Sequence, residues 1–595
     1  MNRCSFFSLA FALTIALLNP SPHPSFGKTP PHDPAKLSSM KFLPLREGVV
    51  FFCPNNTDEA IKQLEQIQAH GFNLIEFASW AWTLPKPGTP FQQRVSAVLN
   101  WCDHHDMAFF LLQNIQYNDE GEGGGLDDQV QNPEKAIPLI SDWANVLRGH
   151  SCVKGVILGN EVAPTLGDPQ KSPIIWSQFR AWLRSKYGLI ADLNAHWGSH
   201  YASFEDVSTP ESGGAGWLDY HRYAELRFAE FYDAIVDKAL KPVLGNLLYG
   251  NKTDLDPFLH RACRAMTMCC WDDLNSQYPM WRIKLAADTT GKPLFNAEMH
   301  LYEDNYNYGA SIPHSRYRYF MSALLGEYAT ASFAWGQWNK PETRKVADAT
   351  PQILSDLKKT QAACVLIARA YQNSDLMVLV TRRIYEGESD ENSGGVLESL
   401  YAYMGALGEP WRYLLETDIR TARKGTLIIP EGQISRQDSQ AIVNLPHSVR
   451  VYYLHAVPTE DEYGLPLSRD MIRSLQKRGR ILAMDHLISA ITPNSELPQD
   501  YRNIGDVSYL GWSPSRGFYG YPVSYCLAQV FRARTRNGWV IAVVNNSDHN
   551  IDAAVPWNVK DNVVDMLSGG TPRINRNRAL QLPPFSVVLF QGMRK

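Results

Sequence analysis

A chain of 595 residues is too long for one hydrophobic core, so its length predicts two to four domains. Its composition, 44% hydrophobic and 20% charged, is that of a globular protein and excludes a largely disordered chain. The formal net charge of −4 gives no electrostatic reason to expect a nucleic acid or an anionic membrane as a partner.

The N-terminal segment has the pattern of a secretory signal peptide. Arg3 gives a short basic start, an apolar run extends from Phe6 to Leu18, and a Pro-rich stretch follows. Ser25 and Gly27 place small residues at the −3 and −1 positions of a cleavage site. The apolar run is too short for a membrane span, and no later segment is long and apolar enough for one. We therefore expect a secreted or periplasmic mature protein.

The cysteines leave the disulfide pattern open. Without Cys4 there are eight, and an even number in an exported chain permits disulfides but does not give their pairing. There is no CxxC pair and no HExxH sequence, and we interpret the adjacent Cys269 and Cys270 as strand packing. The sequence therefore predicts no metal site.

Eight strand-like apolar runs alternate with amphipathic helical stretches in the first half of the chain. One such stretch, DEAIKQLEQIQAHG, ends on Gly71 as a helix C-cap. This alternation predicts a (β/α)8 TIM barrel, in which the C-terminal strand ends share one face. The predicted strands are 48–52, 72–78, 108–115, 153–161, 242–250, 265–272, 293–302 and 330–338.

Composition changes along the chain divide it into four parts. After the signal peptide (1–27) comes the α/β barrel, 28–345, with a helical insertion at about 162–240. Residues 346–512 alternate short strands and helices, which predicts an open α/β, flavodoxin-like domain with a possible role in oligomerisation. It has no GxGxxG or Walker sequence, so a nucleotide role has little support. Residues 513–595 predict a small β-sandwich, with a turn at Arg536-Asn537-Gly538.

Two predicted strands end in a glutamate. Asn160-Glu161 ends the fourth strand, and Glu298 lies at the end of the seventh. In a closed barrel these ends lie across the mouth from each other. Retaining glycosidases use two carboxyl groups about 5–5.5 Å apart, one as acid and base and the other as nucleophile. A single glutamate at such a position is as easily explained by an ion pair, but two on the expected strands favour catalysis.

These residues resemble those of a known group of enzymes. Asn160-Glu161 and Glu298 resemble the signature of clan A retaining glycoside hydrolases. Within that clan, FRAWLRSKYGLIADLNAHWGSHYASFEDV followed by LDYHRYAELRFAEFYDAIV resembles the insertion of the glycoside hydrolase family 42 (GH42) β-galactosidases. The resemblance covers most of the mature chain, because the open α/β domain and the C-terminal β-domain match the layout of that family.

The resemblance implies roles for particular residues. Glu161 would be the acid/base, Glu298 the nucleophile, and Asn160 the ligand of the sugar 2-hydroxyl. The substrate would be a carbohydrate, most simply a terminal β-D-galactoside, and no cofactor is needed because the two carboxyl groups supply the chemistry. The middle domain of the family helps to build a trimer, which implies a homo-oligomer.

Further candidates lie at other strand ends. Trp335 or Trp338 would stack under the sugar, with Trp335 favoured and filling of the barrel rim as the alternative for either. Asn114, Asn296 and His300 are candidates for binding hydroxyl groups, although His300 can equally bond a neighbouring carboxylate. We interpret Glu76, within the second strand, as a member of a buried ion pair. Asp272 and Asp273 can either bind sugar or cap a helix.

Several alternatives stay open from the sequence. The segment after Glu161 is Val162-Ala163-Pro164, and the nucleophile segment is FNAEMHLYED; both depart from the family pattern. Another clan A specificity, such as a β-glucosidase, β-mannosidase or α-L-arabinofuranosidase, is therefore a rival. Two rivals from other classes are a non-catalytic carbohydrate-binding barrel and a structural surface protein. Exo and endo cleavage are not distinguished either.

Overall fold

The computed structural model describes most of the chain after residue 44. The described ranges are 45–78, 88–113, 133–273, 280–300, 311–336, 343–389, 396–405, 408–483, 486–487, 507–509, 524–526, 528–547, 549–555, 557, 562–575 and 579–593. The predicted signal peptide lies outside them.

The first eight strands form one parallel sheet that curls into the predicted barrel. They are β1 Arg46–Phe52, β2 Leu74–Ala78, β3 Ala108–Leu112, β4 Val153–Ile157, β5 Leu248–Gly250, β6 Cys269–Asp273, β7 Leu294–His300 and β8 Glu327–Phe333. Neighbours follow the order β5-β4-β3-β2-β1-β8-β7-β6. Each of the eight predicted runs contributes one strand.

The remaining β5–β6 edge is closed by a short seam of backbone contacts. Lys252 forms a parallel bridge with Cys270, and the amide of Thr253 donates to the carbonyl of Cys270 at 3.2 Å. Further down the seam, the amide of Met268 donates to the carbonyl of Tyr249 at 3.0 Å. The barrel is thus closed, with its shortest pairing between β5 and β6.

Ten helices accompany the barrel strands. They are α1 Thr57–Ala69, α2 Pro90–His104, α3 Ile137–Leu147, α4 Pro173–Tyr187, α5 Ile190–Trp197, α6 Ala215–Ile235, α7 Lys241–Leu244, α8 Pro257–Ala262, α9 Met280–Thr289 and α10 Ile312–Leu325. The predicted C-cap glycine of α1 is confirmed, because Gly71 has a φ of 88° just after the helix.

The predicted fifth strand is too long. Residues Lys241–Leu244 are helical, and they continue α6 through a π-helical turn at Val236–Leu240. Pro242 lies in the first turn of α7, directly after the π-helical turn. A short apolar run does not by itself distinguish a helix from a strand, which explains the error.

The insertion between β4 and β5 is held by the LNAHWG segment. Gly198 ends α5 with a left-handed φ of 66°, and the side-chain oxygen of Asn194 accepts a hydrogen bond from the amide of Tyr201 at 2.9 Å. The indole of Trp197 donates to the carboxylate of Asp219, which is fully buried on α6, at 3.1 Å. The segment is therefore a helix stop that fixes α5 against α6.

The second domain has the predicted flavodoxin-like topology. Its strands are β9 Leu376–Val380, β10 Arg412–Leu415, β11 Gly425–Ile429, β12 Val449–Leu454 and β13 Arg480–Leu482. All are parallel, in the order β10-β9-β11-β12-β13, which is the 2-1-3-4-5 order of flavodoxin. The helices are α11 Arg344–Gln372, α12 Arg382–Ser389, α13 Val396–Gly405, α14 Arg436–Val443 and α15 Arg469–Arg478.

The C-terminal strands form antiparallel sheets. They are β14 Val507–Tyr509, β15 Ser524–Cys526, β16 Ala528–Thr535, β17 Gly538–Asn545, β18 Ile551–Ala554, β19 Asn562–Asp565, β20 Ala579–Leu582 and β21 Val587–Met593. The β16–β17 hairpin turns at the predicted site. The four-stranded sheet β16-β17-β21-β19 and the pair β18-β20 share one apolar core, as in a sandwich.

Buried polar contacts join the insertion to the second domain. The guanidinium of Arg382 forms a two-pronged ion pair with Glu225 on α6, with N–O distances of 2.5 and 2.8 Å. The hydroxyl of Tyr463 donates to the carboxylate of Asp219 at 3.0 Å. Paired geometry of this kind fixes orientation as well as position.

Several sequence interpretations can be checked against the fold. Cys269 and Cys270 are completely buried strand residues, as predicted. Seven cysteines in the described ranges are free thiols: Cys53, Cys102, Cys152, Cys263, Cys269, Cys270 and Cys364. Among the helices described, none combines the length and apolarity needed to cross a bilayer.

A buried carboxyl group at the start of β8 makes stability depend on pH. Burial raises the pKa of Glu327 from 4.5 to about 7. Because the folded chain binds this proton more tightly than the unfolded chain, the contribution is complete below about pH 4.5 and is lost as the pH rises through 7. The full difference is about 3 kcal/mol in the free energy of unfolding.

Glu327→Gln is therefore expected to reduce the pH dependence of stability. The unfolding temperature of the wild type should fall more steeply than that of the variant as the pH rises above 4.5. Circular dichroism melts over a pH series measure the two slopes, with Glu65→Gln on the exposed face of α1 as the matched control. Equal slopes for Glu327→Gln and the wild type would contradict the prediction.

Candidate active site

Glu161 lies beyond β4 on a bulged extension of the strand. The amide of Lys252 donates to the carbonyl of Gly159, and the amide of Val162 donates to the carbonyl of Lys252, both at 3.0 Å. Asn160 and Glu161 therefore oppose a single residue, which is the definition of a bulge. Glu161 has a φ of 48°, a left-handed conformation that is uncommon outside glycine and often found at functional sites.

Glu298 reaches the barrel interior through a second irregularity. Phe295 and Ala297 belong to the interior apolar cluster, whereas Met299 belongs to the outer one. Glu298 nevertheless contacts Lys252, so two successive residues face inward. The β7–β8 register shifts between Asn296 and Met299, at this point of the strand. The bulge turns the Glu298 carboxylate towards the mouth.

Three carboxyl groups meet at the mouth. One oxygen each from Glu161, Asp272 and Glu298 lies within 4.8 Å of the others. Asp272 and Glu298 are paired in the β6–β7 register, and Glu161 reaches them from the extension of β4. The structure therefore brings together the two glutamates that the sequence predicts, and adds an aspartate.

A buried lysine connects these carboxyl groups. Lys252 is only 1% exposed, and its Nζ lies 2.8 Å from Glu298, 2.9 Å from Glu76 and 3.5 Å from Asp272. The predicted role of Glu76 in a buried ion pair is thereby confirmed. Of the three, the Glu298 carboxylate accepts a hydrogen bond from this ammonium.

The charges of this cluster follow from burial and pairing. Burial alone would raise the pKa of Glu298, but the ammonium of Lys252 and the His300 imidazole lower it to about 2. Burial raises the pKa of Asp272 well above its usual range, and it raises that of Glu76 to about 7. Burial would lower the pKa of Lys252, but the surrounding carboxylates raise it well above its ordinary value. Below neutral pH, Glu298 is thus the carboxylate that balances Lys252.

His300 and Phe333 form an aromatic wall beside Glu298. Their rings are stacked, with centroids 4.5 Å apart and planes inclined by 13°. His300 Nε2 lies 3.4 Å from Glu298 Oε1, so the predicted contact of His300 with a carboxylate is present. Phe333, the last residue of β8, was not among the sequence candidates.

Two predicted sugar ligands point elsewhere. Asn296 is completely buried and alternates with the interior residues Phe295 and Ala297, which directs it towards the helices. Trp335 is 3% exposed, belongs to the outer apolar cluster and packs edge-on against His70 at 5.4 Å. The structure thus directs both side chains away from the barrel interior, because a position at a strand end does not by itself decide which way a side chain points.

The remaining candidates have different outcomes. Asn114 and Trp338 lie outside the described residues. Asn160 is 9% exposed beside Glu161, as predicted. Lys252 and the central place of Asp272 were not predicted, although the sequence Gly250-Asn251-Lys252 puts a charge just after the fifth strand, by the same logic that selected Glu161.

Within the described part of the chain, two groups of residues have the donor atoms to hold a metal ion. One is the mouth cluster itself, and the other is Asp103, His150 and Cys152. In the second group the Asp103 carboxylate accepts hydrogen bonds from His150 Nδ1 at 2.6 Å and from the amide of Cys152 at 2.7 Å. These bonds anchor the turn that precedes β4.

Comparison with known proteins agrees with this geometry. The β-galactosidase model of glycoside hydrolase family 42 matches residues 131–280, which include Glu161, Lys252 and Asp272. No curated protein matches the sequence. Similarity at the level of structure is extensive.

Three solved structures illustrate the shared fold. A GH42 β-galactosidase from G. stearothermophilus, Gan42B, in its E323A catalytic mutant form, is 12% identical with a TM-score of 0.64, over 93% of this chain and 98% of the other. A β-galactosidase from the psychrophilic Marinomonas ef1 is 12% identical with a TM-score of 0.62, over 92% and 100%. A GH42 exo-carrageenase from Bacteroides ovatus is 14% identical with a TM-score of 0.60, over 93% and 80%.

The fold and the family match together define the class of this protein. It is a glycoside hydrolase built on a (β/α)8 barrel, similar over residues 131–280 to the GH42 β-galactosidases. Within that class it is GH42-like, since its likeness in fold to the β-galactosidase structures extends over 92–93% of the chain.

Proposed function

We propose that the protein hydrolyses terminal β-D-galactosides with retention of anomeric configuration, by double displacement on Glu161 and Glu298. The observation that carries this proposal is the approach of the two carboxyl groups, whose nearest oxygens lie within 4.8 Å. Inverting enzymes separate their carboxyl groups by about 6.5–9.5 Å to admit a water molecule. The shorter separation supports a direct attack by one carboxylate on the sugar.

The electrostatics support Glu298 as the nucleophile. Lys252 and His300 hold its pKa at about 2, so it is a carboxylate at all working pH values. In the first step a Glu298 oxygen bonds to the anomeric carbon, the glycosidic C–O bond breaks, and Glu161 protonates the leaving oxygen. In the second step Glu161 takes a proton from water. The water oxygen bonds to the anomeric carbon, the bond from that carbon to Glu298 breaks, and the sugar is released.

Galactose as the sugar is supported by the family match. The matching family model is a β-galactosidase model, and the Gan42B and Marinomonas structures are β-galactosidases by their descriptions. Asn160, adjacent to Glu161 in the bulge, would bind the 2-hydroxyl, an interaction that strengthens in the transition state.

The protein is expected to cleave an aryl β-D-galactoside and to release β-galactose first. The test is a panel of aryl glycosides that includes galactose, glucose, mannose and arabinofuranose, with the product anomer followed by proton NMR before mutarotation. If a different glycoside is cleaved with retention, the proposed mechanism stands and galactose is wrong as the sugar. Release of the α-anomer would contradict double displacement.

We also propose that the mature protein acts outside the cytoplasm as a homo-oligomer. The basic start and apolar run of residues 1–27 support export. N-terminal sequencing of protein from the periplasm or medium tests it, and light scattering of the same sample gives the oligomeric state.

A further inference from the structure

Lys252 is held in place by backbone bonds on both sides. Its amide and carbonyl pair with Gly159 and Val162 on the β4 extension, both at 3.0 Å, and it bridges to Cys270 on the other side. The side chain is almost completely enclosed. An ammonium in such a place is costly to desolvate unless its partners are well placed.

The contacts of Lys252 differentiate the two oxygens of Glu298. Nζ binds Oε2 at 2.8 Å, whereas Oε1 has His300 Nε2 at 3.4 Å. One oxygen is therefore tied to the cation and the other lies at the aromatic wall. This is the arrangement needed to present a single oxygen to an anomeric carbon.

Resting on the proposed function, we propose that Lys252 is a positioning residue for the nucleophile, which fixes Glu298 through Oε2 and leaves Oε1 for attack. Glu76 at 2.9 Å and Asp272 at 3.5 Å also lie beside this ammonium. The competing explanation is that Lys252 only balances buried charge and closes the β5–β6 seam.

Lys252 is one of several titratable groups that face Glu298. The complete set among the described residues is Glu76 on β2, Glu161 after β4, Lys252 after β5, Asp272 on β6 and His300 on β7. Among these, only Lys252 is a permanent cation at neutral pH. Removing it should therefore allow Glu298 to bind a proton at a higher pH.

The test compares Lys252→Met with the double variant Lys252→Met/Glu76→Gln. The double variant removes the cation together with the buried carboxyl group of Glu76, so that Glu76 is not left facing an apolar side chain while Glu298 still lacks its ammonium. In both variants we expect the acidic limb of the kcat/KM profile to move up by about one to three pH units. The loss of kcat/KM should consequently be larger in acid than at neutral pH.

The outcomes separate a positioning role from a structural one. A shifted acidic limb in a stably folded double variant supports the proposal. A double variant that regains both the stability and the pH profile of the wild type would overturn it, because Glu298 would then not depend on the ammonium of Lys252.

A second readout does not depend on turnover. Carbodiimide reacts with protonated carboxyl groups, so peptide mass spectrometry can follow the labelling of Glu298 against pH. Labelling that extends to higher pH in both variants supports the proposal, and an unchanged labelling profile overturns it. If the wild type cleaves no glycoside on the panel, the proposed function fails, and this labelling still decides the role of Lys252.

Discussion

Glu298→Gly is expected to lose at least about 10⁴-fold in kcat/KM on an aryl β-galactoside, the order of loss when a covalent nucleophile is removed. That corresponds to about 5 kcal/mol of transition-state stabilisation. The cavity left by the side chain admits a small anion next to Lys252. Azide should therefore restore turnover and yield the inverted α-galactosyl azide, identified by NMR.

The control for this variant is Glu327→Gln, which also removes a buried strand carboxylate. Glu327 pairs with Leu294 at the opposite end of β7, away from the mouth cluster. Its kcat/KM should stay close to that of the wild type at a pH where both fold. If Glu298→Gly keeps substantial activity without azide, another group, with Asp272 as the first candidate, would have to form the glycosyl bond.

Glu161→Gln is expected to lose activity in a way that depends on the leaving group. A poor leaving group needs protonation, so its kcat/KM should fall by about 10²–10⁴-fold, the usual contribution of general acid catalysis. A dinitrophenyl galactoside leaves without a proton and should be affected much less in its first step. The measurement is a series of aryl galactosides with phenols of increasing acidity.

Azide distinguishes the two glutamates. With Glu161→Gln it should attack the glycosyl intermediate and give the retained β-galactosyl azide. The exposed Glu205, in the same insertion, provides a matched Glu205→Gln control that should keep normal activity. An equal loss for all leaving groups would contradict the acid role of Glu161 and again direct attention to Asp272.

The sequence was sufficient for the architecture because periodicity reports burial. The predicted run 48–52 lies within β1, Arg46–Phe52, since a strand covered on both faces is continuously apolar. The error at Lys241–Leu244 arose where an apolar run was short and began near a proline. The LNAHWG segment supported the resemblance to a family. In the structure it ends helix α5 and holds that helix against α6.

The site was predicted only in part, because the direction in which a side chain points depends on local irregularities of the strand. In a strictly alternating strand, the side chains of Glu298 and Ala297 would lie on opposite faces of the sheet. The bulge in β7 turns both into the barrel. Asn296 and Trp335 were assigned to the mouth from their positions at strand ends, without knowledge of that facing. Lys252 was missed because its partners come from three different strands, a relation that no spacing along the chain reveals.

The seam between β5 and β6 gives the assembly of the site a definite place in the folding of the chain. Lys252 supplies both a backbone bridge that completes the ring and the cation that the nucleophile requires. A barrel that has formed seven of its eight strand contacts can be nearly native in shape and still lack that cation at Glu298. A ring left open at this seam would lack that cation, so the same few residues that close the barrel also complete the site.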